Sequence, residues 1–159
     1  MQLINPVRIG RAFEERVKQA LLKNNYLLID KNQFVRNYSP EKDSAKKREY
    51  DLVMFHTREK EFYVIECKAH ISRHNLVAYE QVRKFNAVAL SYGGRWAKKL
   101  IVTDTALTRE AYNYAMKSSI TVINGKNLEQ MEQEPRSPHL SFLAKALKIG
   151  LEYIVRGYG

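Results

Sequence analysis

The run Phe62-Tyr63-Val64-Ile65-Glu66-Cys67-Lys68 carries an apolar stretch into a carboxylate and an amine two positions apart. On an extended chain successive side chains alternate between faces, so Glu66 and Lys68 share one face and Cys67 takes the other, where it reads as a small buried hydrophobe. A second carboxylate, Asp51, opens the apolar run Leu52-Val53-Met54-Phe55. A hairpin joining the two runs through residues 57–61 brings Asp51 toward Glu66. Two carboxylates with nothing cationic between them repel, so a site holding both needs an ion, a proton or a positive side chain. Mg²⁺ suits such a sparse oxygen set, because it keeps several waters and is commonly held by one or two carboxylates plus substrate phosphate; Mn²⁺ is the other ion expected. Lys68 beside it can position or help deprotonate an attacking water and stabilise charge developing on phosphorus oxygens. The chemistry these residue types allow is hydrolysis of a phosphodiester.

The rest of the chain must position these groups. Residues 8–25 predict a helix, with Ile9, Phe13, Val17, Ala20 and Leu21 on one face and Asn24 and Asn25 at its end. Residues 26–29 and 34–36 are two short strand candidates, and residues 37–48 form a polar, charged loop with a turn signal at Ser39-Pro40. Beyond the hairpin, residues 76–90 predict a helix with Tyr79, Val82, Phe85, Asn86 and Ala89 on one side, stopping before Gly93-Gly94. Residues 100–102 read as a short buried strand. Thr108 caps a helix through Lys117 with Glu110 in its first turn, and residues 120–123 form a further strand before an Asn124-Gly125 turn. The alternation predicts an α/β domain in which crossover helices join parallel later strands to the earlier hairpin. Residues 130–137 read as a polar linker into a last helix over 138–156, whose stripe of Leu140, Leu143, Leu147, Leu151 and Ile154 suits packing on the core or a dimer interface. The division expected is a domain over 1–135 and a C-terminal helix over 136–159.

Composition narrows the partners. In 159 residues, 27 Lys+Arg against 17 Asp+Glu leave a formal charge of +10, which favours a phosphate backbone, with an acidic membrane surface or simple solubility as alternatives. Lys46, Lys47, Arg48, Arg73 and His74 lie nearest the motif and are the expected nucleic-acid contacts, though a solvated surface also accounts for the Lys46-Lys47-Arg48 run. Tyr63 and Tyr79 read as packing groups rather than base-stacking ones. No signal peptide or spanning segment is expected, so the location expected is cytoplasmic, without membrane attachment. The single cysteine excludes an intrachain disulfide, and His56, His70, His74 and His139 are too scattered for zinc.

Asp51, Glu66 and Lys68 together resemble the signature of the PD-(D/E)XK nucleases of the restriction-endonuclease-like fold: an acidic residue, then Glu-x-Lys on the next strand. The resemblance extends over roughly residues 8–128. It implies a mixed central sheet flanked by helices, with the helix over 138–156 an addition, and a Mg²⁺ or Mn²⁺ ion held by Asp51, Glu66 and the backbone carbonyl of Cys67. It also implies an accessory acid on the first helix. Glu14, in Gly10-Arg11-Ala12-Phe13-Glu14, is preferred to Glu15, because at about 100° per residue it flanks the apolar face whereas Glu15 faces solvent. The resemblance further implies a catalytic part for Gln81, which matches a glutamine common on the helix after the motif, although an ordinary helix-surface amide accounts for Gln81 equally well. Two branches look nearest: the archaeal Holliday-junction resolvases with Mrr-like restriction enzymes, and the nuclease domains of CRISPR-associated effectors of the Card1 and Can2 type, the latter on Tyr92-Gly93-Gly94 before Lys99-Leu100-Ile101-Val102 and Ile123-Asn124-Gly125 before Leu128. No counterpart of their nucleotide-sensing domain is expected in 159 residues, and Tyr50 stands where the motif has proline.

The expected activity is thus that of a metal-dependent endonuclease, on DNA by preference and on RNA otherwise, with an antiviral role implied by the effector branch and a homodimer as the expected assembly. Two other readings stand beside it: a nucleic-acid-binding module on the same fold that does not cut, and a dimeric resolvase of four-way junctions built through the last helix.

Overall fold

The computed structural model describes residues 5–36, 47–70, 75–93 and 96–133. Along them run α1 (Pro6–Lys23), β1 (Tyr26–Arg36), β2 (Lys47–His56), β3 (Glu61–Lys68), α2 (Tyr79–Gly93), β4 (Lys98–Thr103), α3 (Arg109–Lys117), β5 (Ile120–Ile123) and α4 (Gly125–Gln133). The strands build one five-stranded sheet in chain order. β1, β2 and β3 pair antiparallel, whereas β3, β4 and β5 pair parallel through the crossovers of α2 and α3. This is the mixed α/β sheet that the hairpin and the later alternation predict.

β2, β3, β4 and β5 each feed two cores, while β1 gives Tyr26 to the first of them. Tyr63, Ile65, Leu100, Val102, Leu52, Met54 and Ile123 pack with Phe13, Val17, Ala20 and Leu21 of α1 and Leu128 and Met131 of α4. The intervening residues Val53, Val64, Ile101 and Ile120 pack with Val82, Phe85, Val88 and Ala89 of α2 and Ala111 and Ala115 of α3. Burial on both faces explains why the central strands read as continuous apolar runs rather than alternating ones. α1 opens on Asn5, whose side chain accepts the Val7 N–H, with Pro6 where its missing N–H costs nothing, and it closes before Asn25 in the left-handed region at φ 69°.

Several boundaries differ from expectation, among them the end of α2, which takes in Gly93 instead of stopping before it. The two short strand candidates are one strand, β1, with an irregularity between Leu28 and Asp30. The polar segment before the motif yields to strand two residues early, because Lys47 and Arg48 pair with Arg36 and Val35. α2 starts at Tyr79 rather than residue 76, since Val77 is bridged to Leu107. The Asn124-Gly125 turn and the start of the expected linker belong to α4, where the Asn124 side chain caps the helix by accepting the Asn127 N–H at 3.0 Å. α4 was missed because its short apolar face, Leu128 and Met131, is diluted by polar residues. Tertiary packing supplies what periodicity lacked, and Arg16 of α1 adds a two-pronged pair to Glu132, with both N···O distances 2.7 Å. The predicted last helix lies outside the described residues.

Gly125 is needed for space. A Cβ there would stand 2.3 Å from the Asp104 carbonyl oxygen, an overlap with backbone that cannot swing away. Gly125→Ala gains up to about 1 kcal/mol in helix propensity, yet the overlap is expected to lower the unfolding free energy by about 1–3 kcal/mol net. A urea denaturation midpoint equal to that of the unsubstituted protein would show that the residue 104 loop gives way freely.

Candidate active site

The β2–β3 ladder runs from His56 paired with Glu61 to Leu52 paired with Ile65. One step further, the Asp51 carboxylate accepts the Cys67 N–H at 2.6 Å. A side chain thus completes the pairing where the main chain stops, and it holds Asp51 against the backbone of the Glu66-Cys67-Lys68 segment. Lys68 Nζ is ion-paired with Glu66 Oε1, as expected for two side chains sharing a face. Cys67 turns the other way and packs with the core under α1.

The electrostatics describe a crowded acidic corner. Burial, then the charge of Glu66, push the Asp51 carboxyl up to about 7, with Glu14 adding to the rise and the Cys67 N–H and Lys68 opposing it. Burial likewise drives the Cys67 thiol well above its usual range, reinforced by Asp51, Glu66 and Glu14. Lys68 shifts the opposite way to a buried lysine left alone: burial pulls its pKa down, but Glu66 and Asp51 outweigh burial and raise it. Lys68 is therefore a cation at neutral pH.

Glu14 of α1 is half-buried and adds its charge to this corner. Glu15 is exposed and turned to its own helix, 2.6 Å from Lys18 Nζ and accepting Gln19 Nε2 at 2.9 Å. Gln81 serves the start of α2 instead, where its Oε1 accepts the Ala78 N–H at 2.8 Å as in a capping box. Lys46, Arg73 and His74 lie outside the described residues, and Lys47 and Arg48 are placed by their main chain in β2. Tyr63 is buried against Tyr26, and Tyr79 packs edge-on to Tyr114 at 5.0 Å.

A supporting layer went unread in the sequence. Tyr50, buried beside Asp51, donates its hydroxyl to Asp30 at 3.0 Å and packs on Tyr92. Thr103 donates to the Lys68 carbonyl at 2.9 Å, and Asp104 accepts the His70 N–H at 3.0 Å. One signal was available: Leu100-Ile101-Val102 passes into Thr103-Asp104 just as Val64-Ile65 passes into Glu66, on the neighbouring strand.

Among the described residues no three Asp, Glu, His or Cys side chains converge into a complete metal cage. The donors nevertheless fit a hard divalent cation. Burial and then the charge of Glu66 drive Asp51 toward protonation, and a divalent ion that keeps its waters would offset both with two carboxylates and a main-chain carbonyl. A thiolate-seeking metal fits poorly, since Cys67 is turned into the core.

A mixed five-stranded sheet with helices on both faces is the architecture of the restriction-endonuclease-like fold. The family described as restriction endonuclease (Mrr_cat) matches residues 9–131, and the chain belongs to that family. Solved structures share its fold. Can2 from Sulfobacillus thermosulfidooxidans, in complex with cyclic tetra-adenylate, is 23% identical with a TM-score of 0.56 over 77% of this chain and 34% of its own. Protein VC1899 from Vibrio cholerae is 20% identical with a TM-score of 0.55 over 84% of this chain and 32% of its own. A repair endonuclease from Pyrococcus abyssi is 10% identical with a TM-score of 0.52, over 78% of this chain and 49% of its own. The chain thus spans between about a third and a half of these structures. No curated protein matches it.

Proposed function

We propose that this domain is an endonuclease that hydrolyses phosphodiester bonds in DNA with the help of Mg²⁺ or Mn²⁺. The observation that carries the reading is the convergence of Asp51 and Glu66 beside a cationic Lys68 at the point where β2 and β3 part. Asp51, Glu66 and the carbonyl of Cys67 would hold the ion, with Glu14 as an accessory ligand or water-orienting base. Bound there, a divalent cation polarises the phosphate and lowers the pKa of water. Lys68, protonated and fixed by Glu66, stands to orient the attacking water and to neutralise charge developing on the phosphorus oxygens, a role in which it holds its proton. Gln81 is assigned support of the helix that follows the motif.

DNA is the preferred substrate because the family is one of restriction endonucleases. The net charge of +10 supplies a salt-sensitive attraction to the backbone, to which Lys46, Lys47, Arg48, Arg73 and His74 would contribute. A homodimer through the stripe of Leu140, Leu143 and Leu147, a cytoplasmic location and a part in antiviral defence belong to the same proposal.

The test is a panel of end-labelled linear duplex, single strand, supercoiled plasmid, four-way junction and RNA, each with Mg²⁺ or Mn²⁺ and with chelator. Cleavage of DNA that chelator abolishes and either ion restores is expected. Salt-sensitive binding without product under every condition would replace this reading with that of a non-cutting module, and cleavage confined to the junction would make the domain a resolvase.

A further inference from the structure

Thr103 is the last residue of β4, and it follows Leu100-Ile101-Val102, all buried and apolar. It is itself fully buried, so a polar side chain here needs a partner. Its register partner across the parallel ladder is Lys68, the last residue of β3. Its hydroxyl donates to the Lys68 carbonyl oxygen at 2.9 Å, while its oxygen accepts the Thr105 N–H at 3.3 Å. The Thr105 hydroxyl also lies 3.3 Å from the Thr103 hydroxyl, but the Lys68 carbonyl at 2.9 Å is the nearer acceptor and takes the Thr103 hydrogen. The neighbouring residue repeats the device, with the Asp104 carboxylate taking the His70 N–H at 3.0 and 3.1 Å. Where strand pairing ends, the last side chain of β4 and the one after it therefore clasp the main chain at Lys68, the end of β3, and at His70 beyond it.

We propose that Thr103 is a positioning residue for Lys68: by holding the Lys68 carbonyl it fixes the backbone from which the amine projects toward Glu66. The inference rests on the reading of Lys68 as the amine of a nuclease site. Displacing such a group by a fraction of an ångström damages the chemical step more than substrate binding, because the substrate is held elsewhere.

Thr103→Val keeps the shape and removes the donor, whereas Thr103→Ser keeps the donor. On the DNA substrate cut best by the full chain, Thr103→Val is expected to lower kcat on the order of ten- to a hundredfold with KM little changed. Thr103→Ser is expected to restore most of that loss. Nuclear magnetic resonance reads the same clasp without catalysis. The two Hε protons of Lys68, inequivalent while the side chain is fixed, should merge in Thr103→Val and stay apart in Thr103→Ser, and the Ala69 amide, which shares the peptide group of the Lys68 carbonyl, should shift in the valine variant alone. Should Thr103→Val not fold, Thr103→Ala against Thr103→Ser makes the same comparison. A valine variant with full kcat, or one whose Lys68 and Ala69 signals match those of the serine variant, overturns the proposal. If the unsubstituted protein cuts nothing, the nuclease reading fails by itself, and the resonance comparison still decides whether Thr103 positions Lys68.

Discussion

Replacing Lys68 by alanine is expected to lower kcat for DNA cleavage by about 10²–10⁴-fold while the Kd for the same DNA hardly moves. The asymmetry follows from what Lys68 does in the fold. Its amine is committed to Glu66, and that pairing, with Asp51 nearby, raises its pKa despite burial. A cation held this way acts on charge that grows in the transition state, and its loss falls on kcat. Binding draws on a chain with 27 Lys and Arg, of which Lys68 is one, so its removal costs about one phosphate contact at most. Lys68→Arg is the informative intermediate. It keeps the charge but exchanges a compact ammonium for a longer planar fork that cannot sit on Glu66 in the same way, so partial activity is expected. Alanine and arginine variants that both cut at the rate of the unsubstituted protein would remove Lys68 from the mechanism. A loss of binding equal to the loss of rate would make it a substrate contact instead.

The reasons why some of this was legible in the sequence and some was not are physical. Strand alternation is a local rule, so the shared face of Glu66 and Lys68 and the opposite placement of Cys67 could be read from neighbouring residues, and the ion pair and the core packing agree. Helix phase is equally local and separates Glu14 from the exposed Glu15. Pairing across strands is not local. The bond from the Cys67 N–H to Asp51 exists because β2 and β3 stop pairing after Leu52 and Ile65, which no pattern within either strand announces. Thr103 belongs to the same category, since its use depends on a parallel neighbour reached through a whole crossover. Gln81 is legible in another way, since a glutamine three residues past Ala78 can close a capping box and its oxygen accepts the Ala78 N–H. α4 was lost for a third reason: a helix of 9 residues with Leu128 and Met131 as its buried apolar side chains is stabilised by what it packs on.

Asp51→Asn is expected to do two opposite things, to remove DNA cleavage and to make the metal-free protein more stable at pH 8. Asparagine keeps an oxygen that can accept the Cys67 N–H, so the bond that ties residue 51 to β3 survives. What disappears is the charge. In the metal-free fold the Asp51 carboxyl is raised from 3.8 to about 7 by burial and by Glu66. A folded-state pKa above the unfolded one means that the native state holds the proton more tightly. The resulting stability is complete below the unfolded value and is lost as pH rises through the folded one. The melting temperatures of Asp51→Asn and the unsubstituted protein, measured in chelator, should therefore draw apart between about pH 4 and 7 and differ by several degrees at pH 8, since each kcal/mol corresponds to about 2–4 °C in a domain of this size. Saturating Mg²⁺ or Mn²⁺ should close or reverse the gap, because an ion that binds only the native unsubstituted site stabilises it by mass action. The affinity for that ion should weaken by up to about tenfold per pH unit below 7, as a proton competes for the same carboxylate. An asparagine variant that melts below the unsubstituted protein at pH 8 in chelator would mean that Asp51 is not held against its charge. The case for a cation between Asp51 and Glu66 would then lose its physical ground, because it is the cost of burying the Asp51 charge beside Glu66 that gives the fold a reason to bind one.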